Sequence, residues 1–172
     1  NVTGTGILRM AELRTLCAKA GFNDVRTYIQ SGNLVLASDG TAANAKETLE
    51  KIVARKIGKP CRVLIRSAEE LEGIERRNPF PETNPSHNMV LFLDVAPPKG
   101  ALKDWKIPGG ERLVLKGREL YLHFPDGQGK SKLKVPFADV GTGRNMNTVR
   151  KLIAMAHDMA HDTAHDMARE EV

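Results

Sequence analysis

Three stretches of this chain bring hydroxyl, amide, glycine and basic residues together at short spacing, as a loop that holds an anion requires. In the first, Tyr28, Gln30, Ser31, Gly32 and Asn33 place a hydroxyl, amides and backbone N–H groups around a tight turn. Gly4 and Gly6 open a second loop into a backbone-lined concavity suited to negative charge. The competing reading is local: glycine and asparagine for backbone conformation, Ser31 for a short-range hydrogen bond.

The second stretch is Gly127-Gln128-Gly129-Lys130-Ser131-Lys132. A phosphate loop of the form G-x-x-x-x-G-K-S requires glycine where Phe124 stands, and no apolar helix follows Ser131, so that nucleotide motif is excluded. A looser anion contact through Lys130, Ser131, Lys132 and the glycine backbone remains, against a solvated loop. The third stretch, Arg144, Asn145, Asn147 and Thr148, falls where the last helix is expected to start. Free N–H groups and the helix dipole favour anions there, and Arg144 adds a fork for carboxylate or phosphate. Asn147 or Thr148 acting only as the helix cap is the alternative.

Other chemistry is poorly represented. His87 and His123 have no sequence-local partner that marks a general base, and each reads as a surface or lightly buried residue. His157, His161 and His165 recur every four residues in a Met-Ala-His-Asp repeat, a spacing able to clamp a metal. A short tandem duplication produces the same pattern, so no metal and no cofactor is assigned. The two cysteines, Cys17 and Cys61, are too few for a disulfide framework and read as reduced core thiols.

The elements that would position these residues follow from periodicity. Met10, Leu13, Leu16, Cys17 and Ala20 form one helical stripe that stops at Gly21. Val25, Thr27 and Ile29 alternate with polar residues, and Leu34-Val35-Leu36 resumes after the turn as a partner strand. Ala45, Leu49, Ile52, Val53 and Ile57 mark a second helix ending at Gly58; Cys61, Val63 and Ile65 read as a further strand. Ser67 caps a short helix with Glu70 at capping-box spacing. Asn78-Pro79-Phe80-Pro81 and Asn84-Pro85 break the chain. Beyond them lie an apolar strand from Met89, a short helical segment around Leu102 and Trp105, a hairpin across Lys116-Gly117-Arg118, and a helix from about Asn147. The predicted fold is α+β, in two subdomains with ferredoxin-like βαββαβ elements over residues 1–80 and 81–156, then a low-complexity helical tail, 157–172. The first subdomain lacks the N-terminal strand of that pattern, so a partner strand or an exposed edge is expected there.

Charge narrows the function classes. The net +5 conceals an excess in residues 99–151, which hold 12 Lys/Arg against 5 Asp/Glu, while residues 152–172 hold 1 against 5. Such a region suits a phosphate or nucleic acid, or is a solubilising surface. Aromatic residues are only 5%, and Asn33–Ser38 contains none, which argues against base stacking of the RNA-recognition kind. The longest apolar run is too short to span a bilayer, no secretory segment precedes the first helix, and a cytoplasmic location is expected.

Several motifs occur together: Met10-Ala11-Glu12-Leu13-Arg14, Gly21-Phe22, Asp24 through Asn33, Asn78-Pro79-Phe80, Ser131-Lys132-Leu133 and Thr142 through Thr148. They resemble the domain of unknown function 1697 family over nearly residues 1–156. The resemblance implies two α+β subdomains with ferredoxin-like elements and no assigned reaction. Members usually open with an apolar strand leading into Arg-Gly-Ile-Asn-Val-Gly-Gly, whereas this chain starts at Asn1-Val2 and continues Thr3-Gly4-Thr5-Gly6. The leading expectation is a protein that holds a small anionic, phosphate-bearing ligand between its halves, using the Ser31 turn and the Arg144 helix start. The alternative is a non-catalytic nucleic-acid or protein interaction module using the basic second half, and the apolar edge of the tail helix could serve self-association.

Overall fold

The computed structural model describes residues 8–29 and 32–170, with side chains as far as residue 162. Gln30, Ser31, Gly4 and Gly6 lie outside the described residues, as does the side chain of His165. The chain is α+β and divides into two compact units, residues 1–68 with 152–172, and residues 69–151.

In the first unit, helix α1 (Met10–Lys19) turns Met10, Leu13 and Cys17 inward. It ends as its sequence demands: Gly21 sits at φ +88°, and Phe22 N–H donates back to the Cys17 carbonyl at 3.1 Å. Strands β1 (Asn23–Tyr28) and β2 (Asn33–Ala37) form an antiparallel ladder, Tyr28 opposite Asn33, with an irregularity between Asn23 and Arg26. Helix α2 (Ala42–Ile57) starts where Thr41 Oγ1 accepts from Asn44 N–H at 3.2 Å and stops at a left-handed Gly58. Leu8, Met10, Leu13, Cys17, Phe22, Ala45, Leu49 and Val53 are its core. Each buried side chain of Leu or Phe size contributes about 1.5–3 kcal/mol relative to exposure.

Residues 61–66 differ from expectation. Cys61, Val63 and Ile65 do pack on this core, so the period-two alternation is real, but the segment joins no strand ladder among the described residues. Its Val63 N–H is satisfied by the Glu50 carboxylate at 2.9 Å instead. Alternation reports which side chains are buried, and hydrogen-bond pairing is a separate condition.

The second unit contains helix α3 (Ala68–Arg76) and a four-stranded antiparallel sheet of β3 (Asn88–Phe92), β4 (Arg112–Lys116), β5 (Glu119–His123) and β6 (Thr142–Asn145), ordered β4-β5-β3-β6. The break at Asn78-Pro79-Phe80-Pro81 therefore lies inside this unit, because α3 is tied to the sheet. Tyr121 Oη donates to the Ile74 carbonyl at 2.9 Å, Lys116 Nζ to the Arg77 carbonyl at 2.8 Å, and Arg118 pairs with Glu70 at 2.7 Å. Strand β3 is buried along its whole length, which explains its apolar sequence. Met89, Leu91 and Leu93 join Leu120, Leu122, Phe124 and Leu133 in the core.

The β4–β5 hairpin pairs Lys116 with Glu119 across Gly117-Arg118, and Gly117 takes φ +61°, the positive value that a two-residue hairpin turn asks of its first position. Around Leu102 the chain forms turns, not a helix, with Trp105 Nε1–H donating to the Lys134 carbonyl at 2.8 Å. Helix α4 (Met146–Glu170) belongs to the second unit through Lys151 and to the first from Leu152. In the first unit Met159 is buried and Asp162 pairs with Arg26 at 2.8 Å, so this part of the repeat is packed and not simply solvated. No helix among the described residues is long and apolar enough to cross a membrane.

Candidate functional site

The predicted site residues fall into three places. On the hairpin of the first unit, Asn33 is buried and its Nδ2 donates to the Tyr28 carbonyl at 3.0 Å, while Gly32 takes φ +78°. Asn33 therefore closes its own turn, the local role that competed with ligand binding. Tyr28 is half-buried on β1 beside it.

At the start of α4, Arg144 lies on β6 opposite Val90, not on the helix. Its Nη1 donates to Thr142 Oγ1 and to the Gly143 carbonyl, both at 2.7 Å, and burial pulls its guanidinium pKa down. The helix cap is Asn145, whose Oδ1 accepts from Thr148 N–H at 2.9 Å; neither Asn147 nor Thr148 fills that role. Asn147 is exposed and Thr148 buried.

Lys130, Ser131 and Lys132 are the predicted residues that share a concavity. They line a hollow of about 190 Å³ with Glu111, Phe124, Asp126 and the glycines Gly109, Gly110 and Gly127. Both lysines are exposed and form no ion pair among the described residues. Ser131 holds the loop: its Oγ donates to Glu111 Oε1 and accepts from Leu133 N–H at 3.0 Å. Glu111 follows Gly109-Gly110 at the start of β4. The Ser131 hydroxyl foremost, then backbone N–H groups at Glu111 and Gly109, keep its pKa below the usual carboxylate value against the opposing pull of burial. Its other oxygen, Oε2, is shielded from solvent with no hydrogen-bond partner of good geometry. Arg144, Asn145, Asn147 and Thr148 do not line this hollow.

The sequence matches, over residues 1–121, the family described as protein of unknown function (DUF1697). The chain belongs to this family. It is also similar to the solved structure of a conserved bacterial protein from Streptococcus pneumoniae, at 25% identity and a TM-score of 0.71, covering 91% of this chain and 93% of that one. No curated protein matches it.

In this family member the Asn78-Pro79-Phe80 motif has a visible role. Asn78 Oδ1 accepts from Phe80 N–H at 3.1 Å, and the Phe80 carbonyl accepts from Asn88 Nδ2 at 3.1 Å. Asn88 Oδ1 accepts from Thr83 Oγ1 at 2.9 Å and from His123 Nδ1 at 2.8 Å. The His123 ring stands 5.7 Å from the Phe80 ring, whose face carries the Arg112 guanidinium at 4.5 Å. His123, read from sequence as isolated, is thus a buried member of a polar network. Burial foremost, then Arg112 and His87, lowers its pKa, with Glu82 opposing. Its partner Asn88 lies 35 residues earlier and is paired with it by β3–β5 register, which no local pattern reports. His87 Nδ1 donates to the Pro125 carbonyl at 3.1 Å, holding the loop that leads into the hollow.

Proposed function

We propose that this chain binds a small anionic, phosphate-bearing ligand in the hollow of its second unit, with Lys130 and Lys132 supplying the charge. The carrying observation is that two lysines without ion-pair partners among the described residues flank Ser131 on the rim of a concavity. Ser131 fixes the loop between the two lysines through its bonds to Glu111 and Leu133. In the first unit, the order α1-β1-β2-α2 supports reading those elements as part of a ferredoxin-like subdomain.

Titration calorimetry with inorganic phosphate and a set of phosphorylated metabolites tests the reading. Binding is expected for the wild-type chain and a loss of about tenfold or more for the Lys130→Ala/Lys132→Ala variant, since a charge-assisted contact carries roughly 1.5–3 kcal/mol. Equal affinity in both proteins, or none in either, overturns it. Nucleic-acid contact through the basic second half is the rival, favoured by the 12-to-5 charge excess of residues 99–151. It predicts binding to random duplex or single strands that falls steeply with salt.

A further inference from the structure

The lysine-bearing loop continues past the hollow with a pattern of its own. Residues 130–135 alternate: Lys130, Lys132 and Lys134 are exposed, while Leu133 is buried and Ser131 and Val135 are partly buried. Such alternation needs extended backbone, which Ser131 shows at φ −75° and ψ 139°. The inner side is fixed, because Leu133 lies in the core of the second unit, Val135 packs against it, and Ser131 is bonded to Glu111 and Leu133. The outer side is a line of three lysines at steps of roughly 6–7 Å along the chain. None of the three forms an ion pair among the described residues.

An aromatic ring stands at one end of this line. Trp105 Nε1–H donates to the Lys134 carbonyl at 2.8 Å, and Trp105 N–H donates to the Leu102 carbonyl at 3.0 Å, in a turn whose Leu102 packs on the same core. The other end meets the hollow, where Pro108, Gly109 and Gly110 stand with Lys130 and Lys132. The Trp105 side chain keeps its residue 39% exposed although its one polar group is satisfied within the chain. What it offers a ligand is therefore apolar ring surface, able to stack and without a free donor. Inorganic phosphate or a sugar phosphate uses the lysines and leaves the ring idle. A planar base uses both, because stacking on an aromatic side chain is open to every base. This ring lies in the second unit, away from the Asn33–Ser38 segment whose lack of aromatics argued against stacking there.

We infer that the ligand is a nucleotide, its base stacked on Trp105 and its phosphate or phosphates held along Lys130, Lys132 and Lys134. The inference rests on the anion-binding reading of Lys130 and Lys132 and narrows it to a class. A free nucleotide and a single strand share this chemistry. The line of lysines suits either, since it spreads the positive charge along the chain instead of gathering it at one point.

Trp105 is the only tryptophan, so its emission reports the stacked base directly. Fluorescence titration and calorimetry on the full chain use inorganic phosphate, ribose 5-phosphate, adenosine 5′-monophosphate and a short oligoadenylate. Wild type is expected to bind the monophosphate or the strand about tenfold tighter than ribose 5-phosphate, with quenching that the base-free compounds do not cause. Trp105→Leu keeps an apolar side chain without a π-face and should erase the advantage, leaving ribose 5-phosphate binding as it was; Trp105→Phe should retain most of it. A strand bound tighter than the monophosphate, and weakened by Lys134→Ala, assigns the single strand; equal affinity assigns the free nucleotide. Base-bearing ligands no tighter than ribose 5-phosphate, or an advantage that survives Trp105→Leu, overturn the inference and leave the anion reading standing. Binding of phosphate and ribose 5-phosphate that is absent, or indifferent to Lys130→Ala/Lys132→Ala, overturns the anion reading and the inference with it. If Trp105→Leu fails to fold, unquenched wild-type emission at saturating monophosphate and oligoadenylate overturns the inference by itself.

Discussion

Replacing Asn88 by alanine probes the polar network under β3 and β5. Asn88 makes three hydrogen bonds from a buried position: to the Phe80 carbonyl at 3.1 Å, from Thr83 at 2.9 Å and from His123 at 2.8 Å. Their loss is not additive. Thr83 Oγ1 already lies 3.0 Å from the Phe80 carbonyl, so those two groups satisfy each other once Asn88 is gone. His123 Nδ1–H is the group left without a partner, costing about 1–3 kcal/mol, and the lost side-chain volume brings the total to roughly 2–4 kcal/mol. With a urea slope of about 1–3 kcal/mol per molar, the midpoint should fall by about 1 M or more. Fluorescence of the only tryptophan, Trp105, reports it from within the same unit. Adding a His123→Ala change should cost less in the Asn88→Ala background than in wild type, because the orphaned donor is already unpaired. A loss below about 0.5 kcal/mol, or full additivity of the pair, would refute the network as a stabilising unit.

The same histidine makes stability depend on pH. Its folded pKa is lowered by burial and by Arg112 and His87, so its contribution is complete above the unfolded value near ~6.5 and is lost as pH falls through that value toward the folded one. Urea midpoints measured at about pH 7.5 and about pH 5.5 should diverge in wild type and converge in a His123→Asn variant. Gly141 and Gly143 should respond differently to alanine. A Cβ at Gly141 meets the Phe92 carbonyl at 2.9 Å and Leu91 Cγ at 2.8 Å, both on a buried strand, whereas at Gly143 it meets the flexible end of Met89. Gly141→Ala should cost about 1–3 kcal/mol and Gly143→Ala distinctly less, by thermal melts of the two variants. Burial pushes the Cys17 thiol up to about 11, so a thiol reagent at about pH 8 should modify the half-buried Cys61 first and Cys17 only on unfolding.

Local patterns determined most of the elements. The stripe Met10, Leu13, Cys17 forms the buried face of α1, Gly58 ends α2 in a left-handed cap, and Gly117 turns the β4–β5 hairpin, because each depends on residues within one or two turns of chain. Tertiary structure decided what requires a distant partner. Thr142-Gly143-Arg144-Asn145 has no strand periodicity, yet it is β6, since β3 offers a ladder edge and glycine permits close approach. Cys61–Ile65 has that periodicity and joins no ladder among the described residues. The basic, glycine-rich loop was legible as an anion-binding candidate from composition alone. That Glu111, 20 residues earlier, accepts from the serine of this loop and lines the same hollow was not. Side-chain type states which interactions a residue can make, but sheet register and loop packing bring the second partner, and at this site the partner changes the charge and therefore the chemistry.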